Sequence, residues 1–307
     1  MTLTTSEMLQ QVSRSFARCI PLLSPEKANA VENTYLLARI LDTIEDSAHP
    51  AWEKDILFAS FFDVLDDGKP DSFIRSLETG VIDQHDRILC DASNFKEILS
   101  QYHSLPYSHK QASASTLREM AKGMSLFLTK EIQSFEDLDA YCYYVAGTVG
   151  KYLNQLVTIC DKVILSEEKA IAFGKFLQYV NIIKDFAKDV VEGRHFWPLD
   201  LTGGNATGYV SGEMEQQGLE ALDTMVTHAL EFQAPTFAYI KEIPDTVIDY
   251  RMCCLLPSLM ALRNLQAMAH NPQLLTDPNA IRISATSVLL DAEKACNVEH
   301  YLDSLLC

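Results

Sequence analysis

The stretch Leu36 to Asp46, LLARILDTIED, sets three carboxylates into an otherwise apolar segment. At helical spacing Asp42, Glu45 and Asp46 fall at i, i+3 and i+4, on one face beside Leu36, Leu37, Ile40 and Leu41. Like charges beside apolar neighbours repel one another and resist desolvation, so this face is costly unless a cation compensates it. Carboxylate oxygens are the ligands that Mg²⁺ prefers. Taken alone, a solvated acidic helix end accounts for the string as well. Arg39, one turn before Asp42, adds a guanidinium suited to an anionic oxygen that metal ions leave uncovered.

A second cluster shifts the balance. In Gln178 to Asp189, QYVNIIKDFAKD, the residues Asn181, Asp185 and Asp189 recur at intervals of four, so one helical face carries an amide and two carboxylates, with Gln178 just before them. Tyr179, Val180, Ile182, Ile183 and Phe186 mark that helix as largely buried. Two acidic faces on two apolar helices can oppose each other across a cavity. Together they offer more oxygen ligands than one hydrated Mg²⁺ needs, which suits several ions bridging to a diphosphate.

These residues carry a family resemblance. The chain resembles the head-to-head prenyl synthases of the squalene/phytoene synthase family in SRSF at Ser13 to Phe16, in Tyr35 followed by Arg39 and DTIED, in YCYYVAGTVG at Tyr141 to Gly150, in NIIKDFAKD at Asn181 to Asp189, and in GRHFWP at Gly193 to Pro198. DTIED is closer to the squalene branch than to the phytoene branch. The resemblance implies a single all-α isoprenoid-synthase domain over residues 1–307, a helical bundle around a central apolar cavity. It implies that Asp42, Glu45, Asp46, Asn181, Asp185 and Asp189 position two or three Mg²⁺ ions, with Mn²⁺ as an alternative, on two farnesyl diphosphates. Ser13, Ser15, Phe16, Tyr35, Arg39, Gln178, Lys184 and Arg194 are then substrate contacts, and Arg14, Arg39 and Lys184 contacts for NADPH. Tyr141 lies near the reacting carbons, where a phenol beside metal and diphosphate could relay a proton to the departing group. Loss of one diphosphate gives an allylic cation, the second substrate's double bond attacks it, and proton loss closes the cyclopropane of presqualene diphosphate. A second ionisation, rearrangement and hydride transfer from NADPH give squalene.

The elements that must position these residues read as helices. Apolar residues recur at three and four in most windows, and alternating β patterns bounded by Asn-Gly turns are missing. Ser6 to Ile20 reads as a first helix, and Ser24-Pro25-Glu26 starts the helix that runs through Tyr35 to the first cluster. Ala51 to Leu89 reads as two helices split at Asp66 to Pro70, with His85 and the acidic residues there as surface. Met120 and Met124 read as core filling. The small residues Ala146, Gly147 and Gly150 would let another helix, or a hydrocarbon tail, approach the backbone. Phe196 and Trp197 read as a helix-end anchor, Leu201 to Gly212 as a Gly-rich flap, and Glu213 to Gln233, Pro244 to Met268 and Ala280 to Ser304 as closing helices.

A formal net charge of -17 disfavours nucleic acid as a partner and leaves an anionic substrate dependent on local cations. Eight cysteines without a CxxC pair read as small core residues in a reducing compartment. The N-terminus lacks a secretory pattern and no apolar window reaches transmembrane length, so a soluble cytoplasmic enzyme is expected, with peripheral membrane contact for product release. Lys184 stands where squalene synthases usually have Arg, and RMCCLLP at Arg251 to Pro257 is Cys-rich where aromatic residues are expected. Both departures touch the reductive step, and no Rossmann fingerprint is present. Synthesis stopping at presqualene diphosphate or dehydrosqualene, phytoene synthesis, prenyl transfer to another acceptor, and a non-catalytic binding module are the competing readings.

Overall fold

A computed structural model describes residues 2–13, 16–66, 70–81, 85–281 and 283. The fold is all-α, with no strand among the described residues. The chain divides into two compact units: residues 1–130 with 155–164, and residues 131–154 with 165–307.

In the first unit the helices are α1 (Thr5–Val12), α2 (Phe16–Cys19), α3 (Pro25–Asp46), α4 (Ala51–Asp66), α5 (Pro70–Glu78), α6 (Ala92–Ser104) and α7 (Tyr107–Phe127). The long first helix expected from the sequence is interrupted. α1 ends at Ser13, which is extended at φ -138°, and Ser13 Oγ accepts from the Phe16 backbone N–H at 3.0 Å, so a short polar side chain ends one helix and opens the next. Thr4 caps α1 reciprocally with Glu7. α3 begins on Pro25 as expected, and its Leu36, Leu37, Ile40, Leu41 and Ile44 are fully buried. It packs against α6 and α7, where Met120 and Met124 are core residues. Phe61, Phe73 and Phe95 extend this core in a chain of ring contacts. Residues 67–69 of the expected turn lie outside the described residues.

In the second unit the helices are α8 (Phe135–Cys142), α10 (Glu167–Lys184), α11 (Phe186–Val191), α12 (Leu199–Thr202), α13 (Ala206–Val210), α14 (Glu215–Leu230), α15 (Gln233–Glu242), α16 (Ile248–Met268) and α17 (Gln273–Thr276), while α9 (Thr148–Asp161) runs through the boundary between the units. Between α8 and α9, Tyr143–Gly147 form a π-helical turn. α10 is the centre of this unit and packs on that turn and on α15 and α16. A Cβ on Gly150 would collide with the Ala170 carbonyl, and one on Gly174 with the Ala146 carbonyl. The small residues of the YCYYVAGTVG stretch are thus used by another helix, α10, one of the two occupants foreseen. Three polar tips inside the core meet one another: Tyr239 Oη donates to Asn154 Oδ1 at 3.2 Å and lies 2.7 Å from Tyr250 Oη.

The stretch Leu201 to Gly212 is not a bare loop. α12 and α13 occupy most of it, with Thr202, Ala206 and Tyr209 buried, and the glycines outside the helices sit at positive φ where the turns require it, as at Gly203 (φ +56°) and Gly212 (φ +78°). Pro257 lies inside α16 without ending it. The last expected helix, Ala280 to Ser304, falls almost wholly outside the described residues. No helix among them is long and apolar enough to cross a membrane.

Candidate active site

The first cluster lies along one stripe of α3. Tyr35, Arg39, Asp42 and Asp46 follow at four, three and four residues, so they share a face that descends to the helix C-terminus. At its upper end the Phe16 ring lies 5.3 Å from the Tyr35 ring. Ser13 is buried beside them and hydrogen-bonds Tyr35, whose phenol is raised by burial. Ser13, Phe16, Tyr35, Arg39 and Asp42 are therefore neighbours along this stripe. Arg14 and Ser15 lie outside the described residues.

Arg39 is not aimed at open space. Its Nε and Nη2 donate to the two oxygens of Asp86 at 2.9 and 3.2 Å, and Nη1 lies 3.6 Å from Asp42 Oδ2. Asp86 is 3% exposed, which corrects its reading as surface. A lone Asp in a polar run gives no sign of burial; only the fold of residues 85–90 under α3 reveals it. Burial lowers the guanidinium pKa, but Asp42 and Asp86 outweigh it and hold Arg39 charged.

Asp42 is half-buried, with its side chain 38% exposed. Burial, opposed by Arg39 and reinforced by Asp46 and Asp86, pushes its carboxyl up to about 7. Glu45 and Asp46 stand in the last turn of α3, where the helix dipole already presents its negative end. Lys54 Nζ meets the Glu45 carbonyl there at 2.6 Å. A raised carboxyl, two more carboxylates and the negative end of a 22-residue helix make a site that a hard divalent cation fits.

The second cluster spans two helices rather than one. α10 ends at Lys184, Asp185 sits at the junction (φ -94°, ψ 6°), and α11 begins at Phe186. The Asp185 N–H still donates to Asn181 O, and the Asp189 N–H to Asp185 O, each at 2.9 Å, so the four-residue register survives the break. Asn181 is exposed, Asp185 and Gln178 are half-buried, and Asp189 is buried. Lys184 Nζ lies 3.4 Å from Asn181 Oδ1 and 3.5 Å from Asp185 Oδ2. Arg194 Nη2 donates to Asp189 Oδ1 and to Glu192 Oε2, both at 2.7 Å. Both cations expected to meet a diphosphate thus lie against carboxylates of their own cluster.

Tyr141 is 4% exposed near the end of α8 and stacks on Phe196 at 5.0 Å. The aromatic pair after Gly193 therefore divides its work: Trp197 packs on Phe186 at 3.9 Å and anchors α11, while Phe196 fixes Tyr141. Two residues before Tyr141, Asp139 accepts from Tyr179 Oη at 2.6 Å and lies 3.0 Å from Lys175 Nζ and 3.5 Å from His228 Nε2. Burial alone would raise its carboxyl, yet the nearby His228 ring, the Tyr179 hydroxyl and the Lys175 ammonium hold it down at about 2. Sequence reasoning passed over Asp139, because its partners come from α10 and α14.

A family model described as squalene/phytoene synthase matches residues 9–287. The chain is 32% identical to the squalene synthase of Cyberlindnera jadinii over 299 residues, covering 92% of this chain and 65% of that protein. It is 31% identical to squalene synthase ERG9 of Saccharomyces cerevisiae over 298 residues, again 92% of this chain and 65% of the relative. Squalene synthase 1 of Arabidopsis thaliana is 31% identical over 304 residues, 94% of this chain and 70% of the relative. The chain thus spans about two thirds of the length of these relatives. Among solved structures, TcSQS in complex with the ligand E5700 superposes with a TM-score of 0.84 at 25% identity, over 98% of this chain and 88% of that one. A dehydrosqualene synthase in complex with a ligand shares the fold at a TM-score of 0.62 and 19% identity, over 98% of this chain and 95% of that one. With both carboxylate clusters, Tyr141 and the all-α isoprenoid-synthase fold in place, the chain belongs to the squalene/phytoene synthase family.

Proposed function

We propose that the chain is a squalene synthase, a prenyltransferase that joins two farnesyl diphosphates head to head through presqualene diphosphate and reduces the product to squalene with NADPH. The observation that carries this reading is the pair of carboxylate clusters, Asp42, Glu45 and Asp46 at the C-terminal end of α3 and Asn181, Asp185 and Asp189 at the α10–α11 junction. The squalene synthase relatives supply the reaction. We assign the whole chain, residues 1–307, to one catalytic domain, supported by a family match that runs through both units.

Asp42, Glu45 and Asp46 of α3, and Asn181, Asp185 and Asp189 at the α10–α11 junction, are the residues that would hold Mg²⁺. Bound there, the ions supply Lewis acidity to the departing diphosphate. Asp86 orients the Arg39 fork so that Nη1 faces Asp42, which sets one cation charge beside the carboxylates without metal. Lys184 and Arg194 set their charges beside Asp185 and Asp189 in the second cluster and are the side chains that would meet phosphate oxygens. Ser13, Phe16 and Tyr35 line the substrate side of α3, and Gln178 that of α10. Tyr141, held flat against Phe196, keeps water from the reacting carbons and carries at Oη the proton passed to the leaving group. No residue is assigned to the nicotinamide. Arg39 lies against Asp86 and Lys184 against Asp185, and the squalene synthase relatives supply the reductive step. The apolar product favours peripheral contact with a membrane surface from the cytoplasmic side.

Incubation with farnesyl diphosphate and Mg²⁺ tests the proposal. Squalene should form when NADPH is present, and presqualene diphosphate should accumulate when it is withheld. Dehydrosqualene formed regardless of NADPH, phytoene from the C20 substrate, or no diphosphate release at all would overturn it.

A further inference from the structure

On the first unit, away from the carboxylate clusters, three ligand-bearing side chains from three helices converge. Glu26 comes from the first turn of α3, His109 from the first turn of α7, and Cys160 from the last turn of α9. His109 Nε2 lies 3.2 Å from Glu26 Oε1 and 3.4 Å from Cys160 Sγ, and all three ligand atoms fall within 4.8 Å of one another. We propose that Glu26, His109 and Cys160 form a binding site for a thiophilic divalent cation of the Zn²⁺ type, a structural site with one vertex left to water.

Geometry argues for this before chemistry does. In a tetrahedral zinc site with Zn–N of about 2.05 Å and Zn–S of about 2.3 Å, the N···O edge is roughly 3.3 Å and the N···S edge roughly 3.5 Å. The two observed separations match those edges, so His109 needs no new rotamer to serve as the central ligand. The ligand types suit the metal as well: one thiol, one imidazole and one carboxylate select a borderline ion over the hard Mg²⁺ of the carboxylate clusters.

The surroundings agree. Ser108 Oγ lies 3.3 Å from His109 Nδ1 and can accept a hydrogen bond from Nδ1–H, the tautomer that leaves the Nε2 lone pair facing Glu26 and Cys160. His109 is buried with its side chain 3% exposed, Cys160 is half-buried, and Glu26 is 62% exposed, so an ion enters from the Glu26 side and the fourth vertex meets solvent. Next to the cluster, Lys27 Nζ lies 2.7 Å from Asp161 Oδ2. A cation here would tie the start of α3, the start of α7 and the end of α9 to one another. That role is independent of prenyl transfer.

Cobalt is the spectroscopic probe. The full chain, stripped by chelator, is titrated with Co²⁺ alone. The expected result is one equivalent giving intense four-coordinate d–d bands and a thiolate-to-cobalt charge-transfer band, both displaced by Zn²⁺. Cys160→Ser should abolish the charge-transfer band, Ser108→Ala should weaken binding roughly 10–100-fold with rescue by Ser108→Thr, and Asp42→Asn should leave the band intact. Should Cys160→Ser fail to fold, alkylation of the wild-type chain decides the matter, since Zn²⁺ should protect Cys160 from iodoacetamide. The proposal is overturned by weak six-coordinate bands only, by a thiolate band that survives in folded Cys160→Ser, or by equal alkylation of Cys160 with and without Zn²⁺.

Discussion

Arg39 has to satisfy two carboxylates at once, and the geometry ranks them. Asp86 receives a bidentate fork, and Asp42 only a longer contact at 3.6 Å. Asp86→Ala would leave a largely buried guanidinium without its main partner. Loss of one member of such a pair costs about 3–5 kcal/mol, to be read from the urea midpoint. Asp42→Asn and Asp185→Asn act on chemistry instead. Each should lower kcat/KM on the order of 10²-fold or more, because a metal-assisted leaving group draws several kcal/mol and each 1.36 kcal/mol is about tenfold. If both variants release diphosphate at the wild-type rate, the ligand assignment fails. These residues were legible because a carboxylate pattern on an apolar helix is physically expensive wherever it occurs. Asp86 and Asp139 were not, since each looks like any surface Asp until its partners arrive from distant helices.

At the level of elements, the close approach of α10 to the π turn and α9 sets the strictest packing demand. Gly150→Ala and Gly174→Ala both push a methyl into a carbonyl of the opposing backbone. Neither obstacle is a flexible side chain, so the backbone must shift, at about 1–3 kcal/mol or more in each case by chemical denaturation. Gly193→Ala is the contrast: nothing lies within 4 Å of the added carbon, and the cost is the positive φ of +78° alone, about 1 kcal/mol. Equal losses at all three sites would show that the approach of α10 is not tight. The stretch Tyr141 to Gly150 announced that something needed room. It could not announce a π turn, because an extra residue in one turn is set by the fit between helices and not by local propensity.

For the whole molecule, acid stability has a definite sign. Asp139 is held at about 2 against an ordinary 3.8, so the unfolded chain binds its proton first as pH falls. The stabilisation from this group is complete above pH ~4 and disappears as the pH drops through about 2. Asp139→Asn should therefore be less stable than wild type at neutral pH, and the gap should close between pH ~4 and ~2 in thermal melts at matched ionic strength. A constant gap across that window would mean that Tyr179, Lys175 and His228 do not hold the carboxylate ionised. With a formal charge of -17, the chain also depends on cations to receive an anionic substrate, so chelation should abolish turnover and Mg²⁺ restore it.

What the sequence determined by itself was the helical class and the grouping of carboxylates into two clusters, because helical periodicity and the cost of grouped carboxylates are properties of neighbours along the chain. It also placed Tyr35, Arg39 and Asp42 on one stripe, since i, i+4 and i+7 share a face in any α-helix. Tertiary structure alone decided which charges are answered: Asp86 under Arg39, Arg194 against Asp189, three donors around Asp139, and Cys160 beside His109 and Glu26. Those contacts join residues as many as 134 positions apart, counted from Glu26 to Cys160, and no local pattern encodes a distance across a packed core.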